Sequence, residues 1–129
     1  MQRRTRQREA ILACFTAEDR PLTPVEAHEL VSAKYPSLGI ATVYRAVNAF
    51  VAAGMLTAIV VGGVMRYEAA GKEHHHHFLC QSCNKTFCLE ECPVAEEHLA
   101  PRGFSVLSHE LVVSGTCPSC NHTEARSHS

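Results

Sequence analysis

No run of about 18 apolar residues occurs anywhere in the 129-residue chain, which leaves no segment able to cross a bilayer as a helix. The amino-terminal stretch MQRRTRQREAIL is basic but has neither an apolar signal core nor a cleavage site, so a cytoplasmic location is expected. In that compartment the seven cysteines are not expected to form disulfides, and their odd number argues against a closed disulfide framework. Metal ligation is the default role for them. Net charge is also scarce, at −1, and says nothing by itself about a nucleic-acid partner.

Charge is unevenly placed, however. Residues 1–50 hold seven Lys or Arg against five Asp or Glu, and residues 51–129 hold five against eight. Arg3, Arg4, Arg6 and Arg8 fall within six positions. A solvated helix face explains such a cluster equally well, but it marks the half in which to look for a phosphate-facing surface. With 46% hydrophobic residues the chain can bury a core, in one domain or two very small ones.

The first half reads as three helices and a hairpin. Residues 5–16 place Ile11, Leu12 and Phe15 on one helical face, with Cys14 as a buried, inert thiol. Thr23, Pro24 and Glu26 form a capping box with proline at the first helical position. Residues 40–54 carry Val43, Val47 and Phe50 at helical spacing and end at Gly54. The opposite face offers Thr42, Tyr44, Arg45 and Asn48. Arginine suits guanine, asparagine suits adenine, and hydroxyls suit the phosphate backbone. Two strands around Gly62-Gly63 then make a hairpin. This order is that of a winged helix-turn-helix, although a small helical domain with an ordinary polar face has the same periodicity.

The second half is organised around metal ligands. Residues 69–73, AAGKE, are expected to be a hinge. Beyond it Cys80 and Cys83 form one Cys-x-x-Cys, and Cys117 and Cys120 form another, 33 residues later. Two such pairs supply the four thiolates of a closed, structural zinc site. A thioredoxin-like redox pair would sit at a helix start in a βαβ unit, and neither pair does.

The histidine run 74–77 leads directly into FLC. An extended chain sends His75 and His77 to one face and His74 and His76 to the other, so one strand can serve two metal sites. Candidates for the further ligands are Glu68, Cys88, Cys92 and His109, the last within the strand-like FSVLSHELVV; for Cys88 and Cys92 a buried thiol is an equally good reading. Glu96 and His98, in the short helical stretch VAEEHLA, are weaker candidates and are expected to be exposed.

Taken together, ATVYR at 41–45, GG-V-RYE at 62–68, HHHHFLCQSC at 74–83 and CPSC at 117–120 resemble the ferric uptake regulator family of bacterial metalloregulators. The similarity runs over about residues 5–120 in the family's order, and the ligand types point toward its zinc-responsive branch. The resemblance implies an α+β protein: an N-terminal winged helix-turn-helix domain, residues 1–68, the hinge 69–73, a small α/β dimerisation domain, residues 74–120, and a tail, 121–129. It implies a homodimer that binds a double-stranded palindromic operator and represses transcription when a divalent metal fills its sensing site. No small-molecule substrate and no membrane are expected as partners.

By the same resemblance, Cys80, Cys83, Cys117 and Cys120 hold structural zinc. Arg8, Thr42, Tyr44, Arg45 and Asn48 face DNA. Glu68, His75 and His77, joined by Cys88, form the sensing site, and His74, His76 and His109, joined by Cys92, form a second site. Two departures stand out. Pro21 occupies a place where many members carry a histidine ligand. Cys88 and Cys92 stand where a carboxylate is expected. Soft thiolate in place of hard oxygen favours Zn²⁺ over Fe²⁺ or Mn²⁺ as the effector. Competing readings are an iron- or manganese-dependent regulator of the family, a peroxide or redox sensor of the same fold, and a zinc enzyme. For the enzyme the sequence offers no general base beyond Glu73, beside His74.

Overall fold

The structure, a computed structural model, describes residues 2–71, 76–89 and 93–121. The chain divides into two compact units, Met1–Lys72 and Glu73–Ser129. Together they give the expected α+β class.

Helix α1 spans Gln2–Glu18, longer at both ends than the apolar spacing suggests. Its first turn is built from arginine and glutamine, which are good helix formers and contain no breaker. The helix stops at Asp19, whose φ of 53° turns the chain left-handed. Helix α2, Pro24–Ser32, starts on the anticipated capping box: the Thr23 hydroxyl accepts the Glu26 amide at 3.1 Å, and the Glu26 carboxylate accepts the Thr23 amide at 2.9 Å.

Helix α3, Ile40–Ala52, buries Val43, Ala46, Val47 and Phe50. It ends in a Schellman motif: Gly54, at φ 77°, donates to the Val51 carbonyl at 3.0 Å, and the Met55 amide donates to the Phe50 carbonyl at 2.8 Å. The three helices enclose a core of Ile11, Phe15, Leu22, Ala27, Val31, Leu38, Val43, Val47, Phe50 and Leu56.

Strands β1, Leu56–Val61, and β2, Val64–Ala69, pair antiparallel through the two-residue turn Gly62-Gly63, at φ 62° and 77°. Two consecutive positive φ values match the right-handed twist of a hairpin. The hairpin is tied back to the helices by Leu22 and Tyr67, which exchange two backbone hydrogen bonds of 2.8 Å. Strand β2 runs through Ala69, one residue into the stretch expected as a hinge.

In the second unit β3, His76–Cys80, is the middle strand. It pairs antiparallel with β4, Thr86–Leu89, and parallel with β5, Val112–Gly115. The strand-like FSVLSHELVV is therefore strand only in its last two residues, and β5 continues past them to Gly115. Residues 77–80 of β3 pair with 112–115 of β5. VAEEHLA forms a single 3-10 turn, Glu96–His98. No described helix is long and apolar enough to cross a membrane.

Gly54 is where the helical unit turns from α3 into the hairpin. Gly54→Ala forces a Cβ into left-handed backbone, and is expected to cost about 1–2 kcal/mol, read as a lowered thermal midpoint with unchanged zinc content.

Candidate metal centres and nucleic-acid face

The parallel pairing of β3 and β5 sets Cys80 opposite Gly115, which places Cys117 two residues beyond the register partner of Cys80. The Cys80 sulfur accepts the backbone amides of Cys83 at 3.4 Å and Cys117 at 3.3 Å. Asn84, at φ 62°, closes the first knuckle by donating its amide to the Cys80 carbonyl at 2.8 Å. Asparagine tolerates that conformation better than other side chains with a Cβ. Its part was missed in the sequence, where an asparagine immediately after Cys-x-x-Cys was the available signal.

The sulfurs of Cys80, Cys83, Cys117 and Cys120 all lie within 4.8 Å of one another, and those of Cys83 and Cys117 are 3.7 Å apart. A tetrahedron with metal–sulfur bonds of about 2.3 Å has edges of about 3.8 Å, so the donors fit a four-coordinate zinc ion. The amides of Cys83 and then Cys117 lower the Cys80 thiol to about 6. The hydrogen bond with Cys117, and then burial, push Cys120 up to about 12, and burial raises Cys83. Backbone dipoles thus favour the thiolate at Cys80, and a divalent cation held there would oppose the upward shifts at Cys83 and Cys120.

The histidines divide as strand alternation requires. His76 is buried, and its Nδ1 accepts the Leu111 amide at 3.0 Å. Its ring stacks on His109 with centroids 4.8 Å apart. A neutral ring with that bond carries its proton on Nε2. Ligation through Nε2 therefore requires the Leu111 amide to turn away. His77 points to the other face and is the register partner of Cys88 on β4. A His77 ring nitrogen and the Cys88 sulfur lie within 4.8 Å.

Glu68 is buried in the first unit, on β2. His74, His75 and Cys92 lie outside the described residues. Pro21 is buried and has no donor atom for a metal. His98 is exposed and pairs with Glu97 at 3.6 Å. Cys14 is half-buried, and burial, then Glu18, raise its thiol to about 11, which leaves it a poor nucleophile.

On α3, Tyr44, Arg45 and Asn48 are exposed and Thr42 is half-exposed. Arg45 Nη2 donates to Thr42 Oγ1 at 3.2 Å, which orients the guanidinium along the helix surface. Arg8 is exposed and stands over the Phe50 ring, 5.2 Å from its centroid, so this cation of α1 packs against the edge of the core face of α3. Arg4 and Arg6 are also exposed on α1.

A second charged group was not anticipated. Arg66, on β2, is fully buried, with Nη1 3.8 Å from Glu26 Oε1. Arg20 Nη1 lies 3.6 Å from the other oxygen of Glu26, and Arg20 Nη2 lies 3.4 Å from Glu18. Burial lowers the pKa of Arg66 against the opposing pull of Glu26.

The model of the ferric uptake regulator family matches residues 2–114. The ferric uptake regulation protein of Campylobacter jejuni is 35% identical over 95% of this chain and 82% of its own. The structure of the Helicobacter pylori ferric uptake regulator, described as having three functional metal binding sites, is similar at a TM-score of 0.66, with 26% identity over 90% of this chain and 80% of that one. A zinc-bound manganese uptake regulator is similar at a TM-score of 0.74, with 25% identity over 86% of this chain and 87% of that one.

Replacing Cys117 by Ser is expected to remove one equivalent of zinc per chain and to unfold the second unit. Elemental analysis with circular dichroism checks this. Zinc retained at the wild-type level would exclude Cys117 as a ligand.

Proposed function

The chain belongs to the ferric uptake regulator family, and from that premise we propose that it is a zinc-responsive repressor of transcription. It binds a palindromic operator as a homodimer when a second divalent metal is present. Residues 1–68 are the DNA-binding domain, 69–73 the hinge, 74–120 the dimerisation domain and 121–129 a tail. The protein works in the cytoplasm.

The observation that carries the reading is the His77–Cys88 pair. The tetrathiolate is coordinatively closed, so it stabilises the fold and does not respond to metal supply. His77 and Cys88 are a separate donor pair across β3 and β4, half-exposed to solvent. Glu68 and His75 complete their coordination, with Glu68 drawing the end of the hairpin to the metal. His74, His76, Cys92 and His109 form a further site of lower priority. The imidazole and thiolate donors suit zinc. The names of the relatives include iron and manganese regulators, so an iron- or manganese-dependent sensor, or a peroxide sensor, is the alternative that metal titration separates.

Homodimerisation is supported by apolar side chains left open on the second unit, among them Phe104, Leu107 (98% exposed), Val112 and Val113. Strand β5 is also an open sheet edge. DNA binding is supported by the α3 surface, with Arg45 and Asn48 for base edges and Arg8 for phosphate. Metal binding favours one arrangement of the two domains and thereby sets the separation of the two recognition helices. DNA in turn tightens metal binding by the same factor.

The test is metal content before and after mild chelation, with each sample titrated against duplex DNA from a random-sequence pool and added Zn²⁺, Fe²⁺ or Mn²⁺. One retained zinc per chain and a removable metal that restores DNA binding support the reading, and the restoring ion names the effector. DNA binding unchanged after chelation would overturn it.

Two sets of variants separate the roles. His77→Ala and Cys88→Ser are expected to keep the structural zinc and the fold while losing the metal-induced gain in DNA affinity. Arg45→Ala is expected to weaken specific binding by about 1–3 kcal/mol at unchanged metal content. Arg8→Ala should weaken all sequences alike and reduce the salt slope by about one. Filter binding across salt concentrations distinguishes these outcomes.

A further inference from the structure

The hairpin β1–β2 is poorly equipped to grip DNA. Arg66 is its sole Lys or Arg between Leu56 and Ala69, and that side chain is 1% exposed. Its buried charge faces the start of α2 instead. Three ties join β2 to the segment 20–26. Tyr67 and Leu22 exchange two hydrogen bonds of 2.8 Å. Arg66 Nη1 meets Glu26 Oε1 at 3.8 Å. The same Glu26 oxygen caps α2 by accepting the Thr23 amide at 2.9 Å, while its other oxygen faces Arg20 at 3.6 Å.

Glu68 follows these tie points immediately. It shares a strand face with Arg66, and both are buried. A β-strand is close to inextensible, so a pull on Glu68 moves Tyr67 and Arg66 with it. The α2 start in turn leads along α2 to His28, whose Nε2 is 2.8 Å from the Leu38 carbonyl in the turn before α3. The Nε and Nη2 atoms of Arg66 are buried and meet no hydrogen-bond acceptor among the described residues. A guanidinium held by one carboxylate at 3.8 Å is under-satisfied, and such a contact is sensitive to small displacements of the strand.

We propose that Arg66 and Glu26 are positioning residues that clamp the hairpin to the helix-turn-helix and so carry metal binding at Glu68 to the recognition helix α3. The inference rests on the sensing reading above. Neither residue touches metal or DNA. The clamp acts through α2, and its effect is on the coupling between the two ligands rather than on either affinity alone.

The test is a double-mutant cycle on the full-length protein. Glu26→Gln keeps an oxygen for the Thr23 amide and removes the charge between the two arginines. Arg66→Met keeps an extended buried side chain and removes its charge. Thr23→Ala is the control: it weakens the same helix start without touching the charges. Each protein is titrated with a duplex selected by metal-loaded wild type, with and without added Zn²⁺, Fe²⁺ or Mn²⁺, and with the metal in the presence and absence of that duplex.

In the charge variants, each affinity measured without the other ligand is expected to stay within about threefold of wild type, while the metal-induced gain falls about tenfold or more. The double variant is expected to lose no more than either single one. Thr23→Ala is expected to keep the gain. Glu26→Gln alone decides the matter if Arg66→Met does not fold. A full gain in Glu26→Gln overturns the clamp and leaves the sensing reading standing. An equal loss in Thr23→Ala also overturns it, because helix stability would then carry the effect. No gain in wild type with any of the three metals overturns the sensing reading, and the clamp with it.

Discussion

Four sulfur atoms within 4.8 Å of one another cannot all ionise without a cation between them, and much of the second unit follows from that constraint. The small sheet has three strands of four or five residues, too little to form a substantial apolar core. The two knuckles join the end of β3 to the chain just after β5. A divalent ion there both neutralises the thiolates and fastens the one parallel strand pair in the molecule's described residues. Parallel pairing needs a long crossover and gains little from local sequence. A metal bound at these four sulfurs would supply the missing stability.

The same strand that ends in a structural ligand begins with candidate sensing ligands. His76 and His77 alternate across β3, and Cys80 terminates it. The unit therefore places two kinds of candidate metal donor, imidazole and thiolate, within one five-residue strand. The closed tetrathiolate is built for permanence. The imidazole–thiolate pair His77–Cys88 is half-exposed. The antiparallel pairing of β3 with β4 sets His77 opposite Cys88.

In the helical unit the corresponding organising element is the strand β2. Alternation of VMRYEA by hydrophobicity alone turns Met65 and Tyr67 inward. Tyr67 is half-buried against the helical core, but Arg66 and Glu68 are buried more deeply and Met65 is 48% exposed. The inversion is stabilised by Glu26, which offers a carboxylate to Arg66 from the capping box of α2. A charged side chain enters the interior only where a partner is ready, and that partner lies 40 residues earlier in the chain.

What the sequence determined by itself is the local chemistry. Gly54 and Gly62-Gly63 mark the end of α3 and the hairpin because glycine takes up positive φ at little cost. Thr23, Pro24 and Glu26 start α2 because capping acts over three residues. The cysteine spacing announces a tetrathiolate because each knuckle is local. The similarity over residues 5–120 announced the family for the same reason: its motifs are short and ordered. Tertiary structure alone decided the rest. It paired Val112–Gly115 in parallel with residues 77–80 of β3. It set His77 opposite Cys88, and it buried Arg66 against Glu26. Each of these depends on which distant segments meet, and so on register and charge partners that no local pattern encodes.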